Sequence, residues 1–162
     1  MSENLTHTNT VGFPIVGMVA SAGGLDAFKR FFSAISSNSG MAFVLIPHLD
    51  PTHESLMVGL LGNLTPMPVV EAQQGMAVEI NTVYIIPPNK FMTINDGQLQ
   101  LSVPPFQLGW QTSIDFFLRS LAQDQTERSI GIVLSGTGSH GALGVREIKL
   151  VGGMTMAQQP DT

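Results

Sequence analysis

Val16-Gly17-Met18-Val19-Ala20-Ser21-Ala22-Gly23-Gly24 reads as a buried strand running into a glycine turn. The run Phe13 to Ala20 is apolar except for Gly17 and shows no helical period, as a strand covered on both faces requires. Leu25, Phe28, Phe31 and Phe32 then recur at helical spacing. Ser21 therefore falls on a sharp strand-to-helix turn. Such a turn lifts a hydroxyl above the sheet edge and aims free helix N–H groups toward it. The serine is either a simple N-cap or a nucleophile. The second reading needs a base and an oxyanion site from elsewhere in the chain.

Working outward, strand and helix patterns alternate. Ala42 to Ile46 is a second buried strand ending at Pro47-His48. His53 to Leu61 has the pattern of a short helix, with Thr52 as N-cap and Gly62-Asn63 as its stop. Pro68 to Glu71 and Val83 to Ile86 are strands, and Asn95-Asp96-Gly97 marks a hairpin between Phe91–Ile94 and Leu99–Ser102. A proline-rich loop, Val103 to Gly109, precedes a helix from Ser113 to Gln123. Strand Ile130–Leu134, the turn Ser135 to Gly141, helix Ala142–Val151 and strand Met154–Gln158 form a further unit. The expectation is an α/β fold: a doubly wound, mostly parallel sheet with helices on both faces and one antiparallel hairpin. Residues 1–12 read as a disordered tail and 13–162 as one domain whose C-terminal end is cut short.

Composition narrows the partners. A net charge of −5 with seven Lys plus Arg provides no basic patch for nucleic acid. No apolar run has the length of a membrane span, and Met1-Ser2-Glu3-Asn4 lacks a signal-peptide pattern. The absence of cysteine excludes disulfides and thiolate chemistry and is compatible with a cytoplasmic location.

In doubly wound sheets, sites form beyond the carboxyl ends of the strands, at a topological switch point. Three buried strands end there in chemically capable residues: Ser21, His48 and the Gly136–Gly141 turn. A serine hydroxyl attacks well only when an imidazole accepts its proton, and His48 meets that need. It equally fits a histidine that merely finishes a strand. His48, Asp50 and His53 also have the donor types of a metal site, although Asp50-Pro51-Thr52 reads as a turn into a helix. Gly136-Thr137-Gly138-Ser139-His140-Gly141 matches G-x-G-x-x-G, and Asp161 lies 161 − 141 = 20 residues further on, as in a dinucleotide site. The same glycines would let backbone N–H groups approach an oxyanion. Asp115 and Asp124 read as a solvated face and a helix end, and Trp110 as a packing residue of the proline-rich loop.

Taken together, Ile15-Val16-Gly17 through Ser21-Ala22-Gly23-Gly24, Ile46-Pro47-His48, Tyr84 to Pro88, Ser113-Ile114-Asp115 and Leu134 to Gly141 resemble the catalytic domain of CheB-type chemotaxis receptor methylesterases. The resemblance runs from about Phe13 to the end. It implies a cytoplasmic serine hydrolase that cleaves glutamate methyl esters on the cytoplasmic helices of methyl-accepting chemotaxis receptors, and in many members deamidates receptor glutamines. Neither cofactor nor resident metal is implied. Ser21 falls on the family's nucleophile and His48 on its general base. Ala22 and Thr137 fall where backbone N–H groups hold the oxyanion. A start so close to the N-terminus resembles fused proteins in which a methyltransferase domain follows.

The chain departs from the family pattern at two places. Gln111-Thr112 stands where Arg-Pro is usual, and His140 where the third triad member is an aspartate. A neutral His140 can accept a hydrogen bond from Nδ1–H of His48 and so preserve its orientation, but it brings no negative charge. In another serine hydrolase, an amide in place of that carboxylate lowers turnover about 10⁴-fold, ~5.5 kcal/mol at the barrier. An activity weakened by His140, or a catalytically degenerate binding or regulatory module, are the two outcomes this difference leaves. A dinucleotide-binding domain is the third reading.

Overall fold

The computed structural model describes residues 11–20, 24–47, 56–104, 110–134 and 141–158, with the backbone alone at 110–112. Its main sheet has six parallel strands in the order β3-β5-β2-β1-β8-β9. These are β1 (Ile15–Ala20), β2 (Ala42–Pro47), β3 (Val69–Glu71), β5 (Val83–Ile85), β8 (Ser129–Leu134) and β9 (Met154–Ala157). The expected hairpin is present as β6 (Phe91–Asn95) and β7 (Gln98–Ser102). A two-residue strand that the sequence pattern missed, β4 (Met76–Ala77), extends it to a three-stranded antiparallel sheet. Asp96 and Gly97 both have positive φ, 50° and 71°, the I′ geometry that matches strand twist in two-residue loops.

Every residue of β1 and β2 is buried, so neither strand alternates in polarity. Their side chains instead divide between two cores. Val16, Met18, Phe43 and Leu45 pack with Phe28 and Phe32 of α1 (Gly24–Ala34) and with Met57 and Leu61 of α2 (Met57–Gly62). Ile15, Val19, Val44 and Ile46 pack with Ile114, Phe117, Leu118 and Leu121 of α3 (Trp110–Gln125) and with Ile148 of α4 (Ala142–Leu150). The fold is therefore doubly wound as expected, and the small sheet joins the α3 side through Met92, Ile94 and Leu99. Edge-on rings of Phe31, Phe32 and Phe43, with centroids 5.1 to 5.8 Å apart, fasten α1 to β2. On that same face, Ile132, Leu134 and Met156 line an open apolar groove with Phe31 and Ile35.

Glycine decides how closely α3 approaches the sheet. A Cβ on Gly17 would lie 2.7 Å from Leu118 Cδ2 and 3.2 Å from Leu121 Cδ2. The bare backbone of β1 is thus the seat of the helix.

Two expectations need correction. Trp110 begins α3 rather than belonging to the loop before it, since the proline-rich stretch masked the helix start. Asp124 is no idle helix end: its Oδ1 accepts Asp96 N–H at 2.7 Å and its Oδ2 accepts Gly97 N–H at 3.1 Å. Val11 packs against the α3-side core, and its carbonyl accepts a bond from Arg128 at 3.2 Å. The predicted Thr52 cap lies outside the described residues. Among those residues, no helix is long and apolar enough to cross a membrane.

Candidate active site

Parallel pairing brings the ends of three strands level. Ala20 of β1 is in register with Pro47 of β2 on one side and with Leu134 of β8 on the other. The next residues in the chain are Ser21, His48 and Ser135. Ser21, Ala22, His48, Thr137 and His140 themselves lie outside the described residues, as do Asp50, His53 and Asp161. What the structure supplies is the frame from which each departs.

That frame has the form of a switch point. From β1 the chain enters α1, packed on one face; from β8 it enters α4, packed on the other. Crossovers that diverge from neighbouring strands open a crevice at their carboxyl ends. Helices joining parallel strands run back antiparallel to them, so α1 and α4 both begin at this edge. The start of α3 lies there too, because Ile114 and Asp115 lie against Gly141 and Gly144 at the beginning of α4. Helix N-termini carry partial positive charge, which stabilises a developing oxyanion.

Two local features shape the exits. The connection from β1 to α1 is only Ser21-Ala22-Gly23, and Gly24 backs directly onto Ala20: a Cβ on Gly24 would lie 2.5 Å from Ala20 Cβ. A glycine is needed there for the turn to be this tight. At the other exit Gly141 adopts φ +82°, a left-handed conformation that favours glycine, and opens α4 as its N-cap. Gly141 has no side chain with which to cap the helix. Asp115 of α3 does so instead, its Oδ1 accepting Gly144 N–H at 2.8 Å. Read from its neighbours in the chain, this aspartate belongs to a solvated face, since its partner lies 29 residues away.

A doubly wound parallel sheet whose first strand and helix are separated by only three residues at the switch point defines an α/β domain with room for a site at that edge. The family model described as CheB methylesterase matches residues 16–162, and the chain belongs to that family. It is 30% identical over 145 residues to a protein-glutamate methylesterase/protein-glutamine glutaminase of Paramagnetospirillum magneticum, covering 89% of this chain and 41% of that one. To the protein-glutamate methylesterase FrzG of Myxococcus xanthus it is 31% identical over 147 residues, 90% of this chain and 44% of FrzG. The chain thus spans less than half the length of these relatives. The Thermotoga maritima CheB methylesterase catalytic domain superimposes with a TM-score of 0.82 over 94% of this chain and 82% of that one, at 23% identity, a likeness of fold. Membership in this family does not favour the dinucleotide reading.

Proposed function

We propose that this domain is a serine hydrolase that cleaves glutamate methyl esters, and the corresponding glutamine amides, on the cytoplasmic helices of chemotaxis receptors. The observation that carries this reading is the level ending of β1, β2 and β8, one or a few residues ahead of Ser21, His48 and the Gly136–Gly141 turn, in a chain of the methylesterase family. The names of the matched relatives, which act on protein glutamate esters and glutamines, supply the substrate class.

The chemistry follows from the residue types. His48 takes the Ser21 proton as Oγ attacks the ester carbonyl, and the oxyanion is held by the N–H groups of Ala22 and Thr137. Collapse breaks the bond to methoxide, which leaves as methanol with the proton from His48; an amide would release ammonia. Water, deprotonated by His48, then cleaves the acyl-serine to give the glutamate carboxylate and free Ser21. Neutral His140 orients His48 by accepting its Nδ1–H. Because His140 cannot offset the imidazolium charge, the domain works below the rate a carboxylate would allow. The site acts in the cytoplasm as part of a longer protein, with a methyltransferase domain as the fused neighbour. A 104.1 kDa protein of Rhodobacter capsulatus, 38% identical over 104 residues that make up 11% of its length, is a precedent for a long host chain.

Methanol release from a methylated receptor fragment tests the reading. The full chain should hydrolyse the ester, Ser21→Ala should abolish this, and His140→Asp should raise turnover by at least about 10-fold, toward the ~10⁴-fold ceiling of a triad carboxylate. Hydrolysis undiminished in Ser21→Ala would remove Ser21 as nucleophile. A silent natural chain awakened by His140→Asp would mark a degenerate module.

A further inference from the structure

Ile114, Phe117, Leu118 and Leu121 of α3 are buried in the core, and they fill it without Phe116, which leaves 44% of its surface open. Among the residues whose side chains are described, Phe116 is the only exposed aromatic. Its ring is nevertheless held. It rests on Phe91 of β6, itself 5% exposed, with centroids 5.5 Å apart and planes tilted by 51°.

The pair stands at the carboxyl edge of the main sheet. At that edge Ile114 lies against Gly141, and at the other end of α3 Asp124 holds the hairpin tip at Asp96 and Gly97. Between them Ile94 N–H donates to Ser120 Oγ at 3.0 Å, so β6 runs beside α3 in the same sense. Phe91 is therefore at the carboxyl-edge end of the hairpin. The chain reaches it from β5, whose neighbour Ile86 donates its N–H to the Leu45 carbonyl of β2. Val103, 74% exposed, leaves the hairpin at the same end, because Ser102 pairs with Phe91.

We propose that Phe116, propped by Phe91, is a substrate-recognition residue whose exposed ring packs against apolar side chains of the receptor helix that carries the glutamate methyl ester. Recognition of this kind presupposes the methylesterase reading; the placement of the ring does not. A glutamate methyl ester is small and alike on every protein that bears it, so choosing one helix requires contacts outside the reacting group. An ester on a helix brings the residues three and four positions away onto the same face. A ring already held by its neighbour meets them at a low entropic cost. An aromatic on an open rim suits a convex helical face better than a small molecule, which needs an enclosing cleft. A contact of this kind is made equally before and during the reaction, so its loss appears in KM rather than kcat.

A methylated cytoplasmic fragment of a chemotaxis receptor serves as the probe, with two readouts: methanol release, and equilibrium binding of the fragment to the Ser21→Ala chain. Phe116→Ala should raise KM by about 5- to 30-fold with kcat within ~3-fold, and should weaken binding to Ser21→Ala by a like factor. Phe116→Tyr, which keeps the ring, should recover most of both. Leu150→Ala, which removes an exposed apolar side chain from the far end of α4, should change neither. Unchanged KM and affinity in Phe116→Ala, a loss confined to kcat, an equal loss in Leu150→Ala, or a Phe116→Tyr no better than Phe116→Ala would each overturn the proposal. So would a dimer of the chain that Phe116→Ala dissociates while fragment affinity stays intact, since the ring would then belong to a second copy. If hydrolysis survives in Ser21→Ala, the methylesterase reading loses its nucleophile, and fragment affinity with and without Phe116→Ala still decides the role of the ring.

Discussion

Ala20 and Gly24 are in contact across the three-residue connection that carries Ser21, the methyl group of one filling the space where the other has no side chain. Because neither partner is a flexible side chain, the contact cannot relax without moving the backbone of the turn. Gly24→Ala is therefore expected to lower ester hydrolysis at least ~10-fold and to destabilise the domain by about 1–3 kcal/mol, the usual cost of overpacking. Combining it with Ala20→Gly should return part of both losses. A double variant no better than Gly24→Ala in methanol release would show that the contact does not shape the turn.

Asp124 binds both backbone N–H groups of the Asp96-Gly97 turn from the last turn of α3. Its replacement by Ala should destabilise by about 1–2 kcal/mol, given that water can partly replace an exposed acceptor. Gly97→Ala should cost ~1 kcal/mol or more, from the φ of +71° and from a Cβ placed 2.8 Å from Val11 Cγ1. Urea denaturation with an unchanged m-value is the measurement; midpoints equal to that of the natural chain would contradict both.

Tyr84 gives the domain a defined response to alkali. Burial raises its phenol above the ordinary 10.0; the Glu79 carboxylate adds to this, while hydrogen bonds from Glu79 N–H and with Thr82 act in the opposite direction. With the folded pKa raised, the unfolded chain surrenders its proton first. The contribution to stability is complete below pH 10 and is lost as pH rises through the folded value. Tyr84 is the only tyrosine, so phenolate absorbance reports it alone. Its midpoint should lie above 10, and Tyr84→Phe should flatten the alkaline fall in melting temperature; a midpoint at the ordinary value would refute this.

Gly17→Val should destabilise by about 1–3 kcal/mol, because the added methyls meet Leu118, Leu121 and Phe117 at the closest approach of α3 to β1. Thermal melting would register it, and an unchanged transition would mean that α3 can lift from the sheet without penalty.

Much of this was readable from the chain. The unbroken apolar runs at Val16–Ala20 and Ala42–Ile46 announced strands covered on both faces, and Asn95-Asp96-Gly97 announced its turn. Met76-Ala77 was not legible, since two residues carry no period. The start of α3 was obscured by the prolines just before it. The roles of Asp115 and Asp124 were hidden for a different reason. Each is made by a partner 27 to 29 residues away, and a lone aspartate on a helix looks the same whether it faces water or a backbone N–H. The candidate site residues followed from strand ends and family pattern, but the level ending at Ala20, Pro47 and Leu134 is a property of register, which uniformly apolar strands leave unmarked.

Leu118 stands next to three separate glycines, Gly17 in β1 and Gly141 and Gly144 at the head of α4. The four positions therefore share a single allotment of volume. Enlarging Gly17 or Gly144 is expected to be tolerated best after position 118 has shrunk, and enlarging both at once should be worse than the sum of the separate changes. One side chain on α3 thus couples the volume available to the strand leading to Ser21 with that available to the helix opened by Gly141.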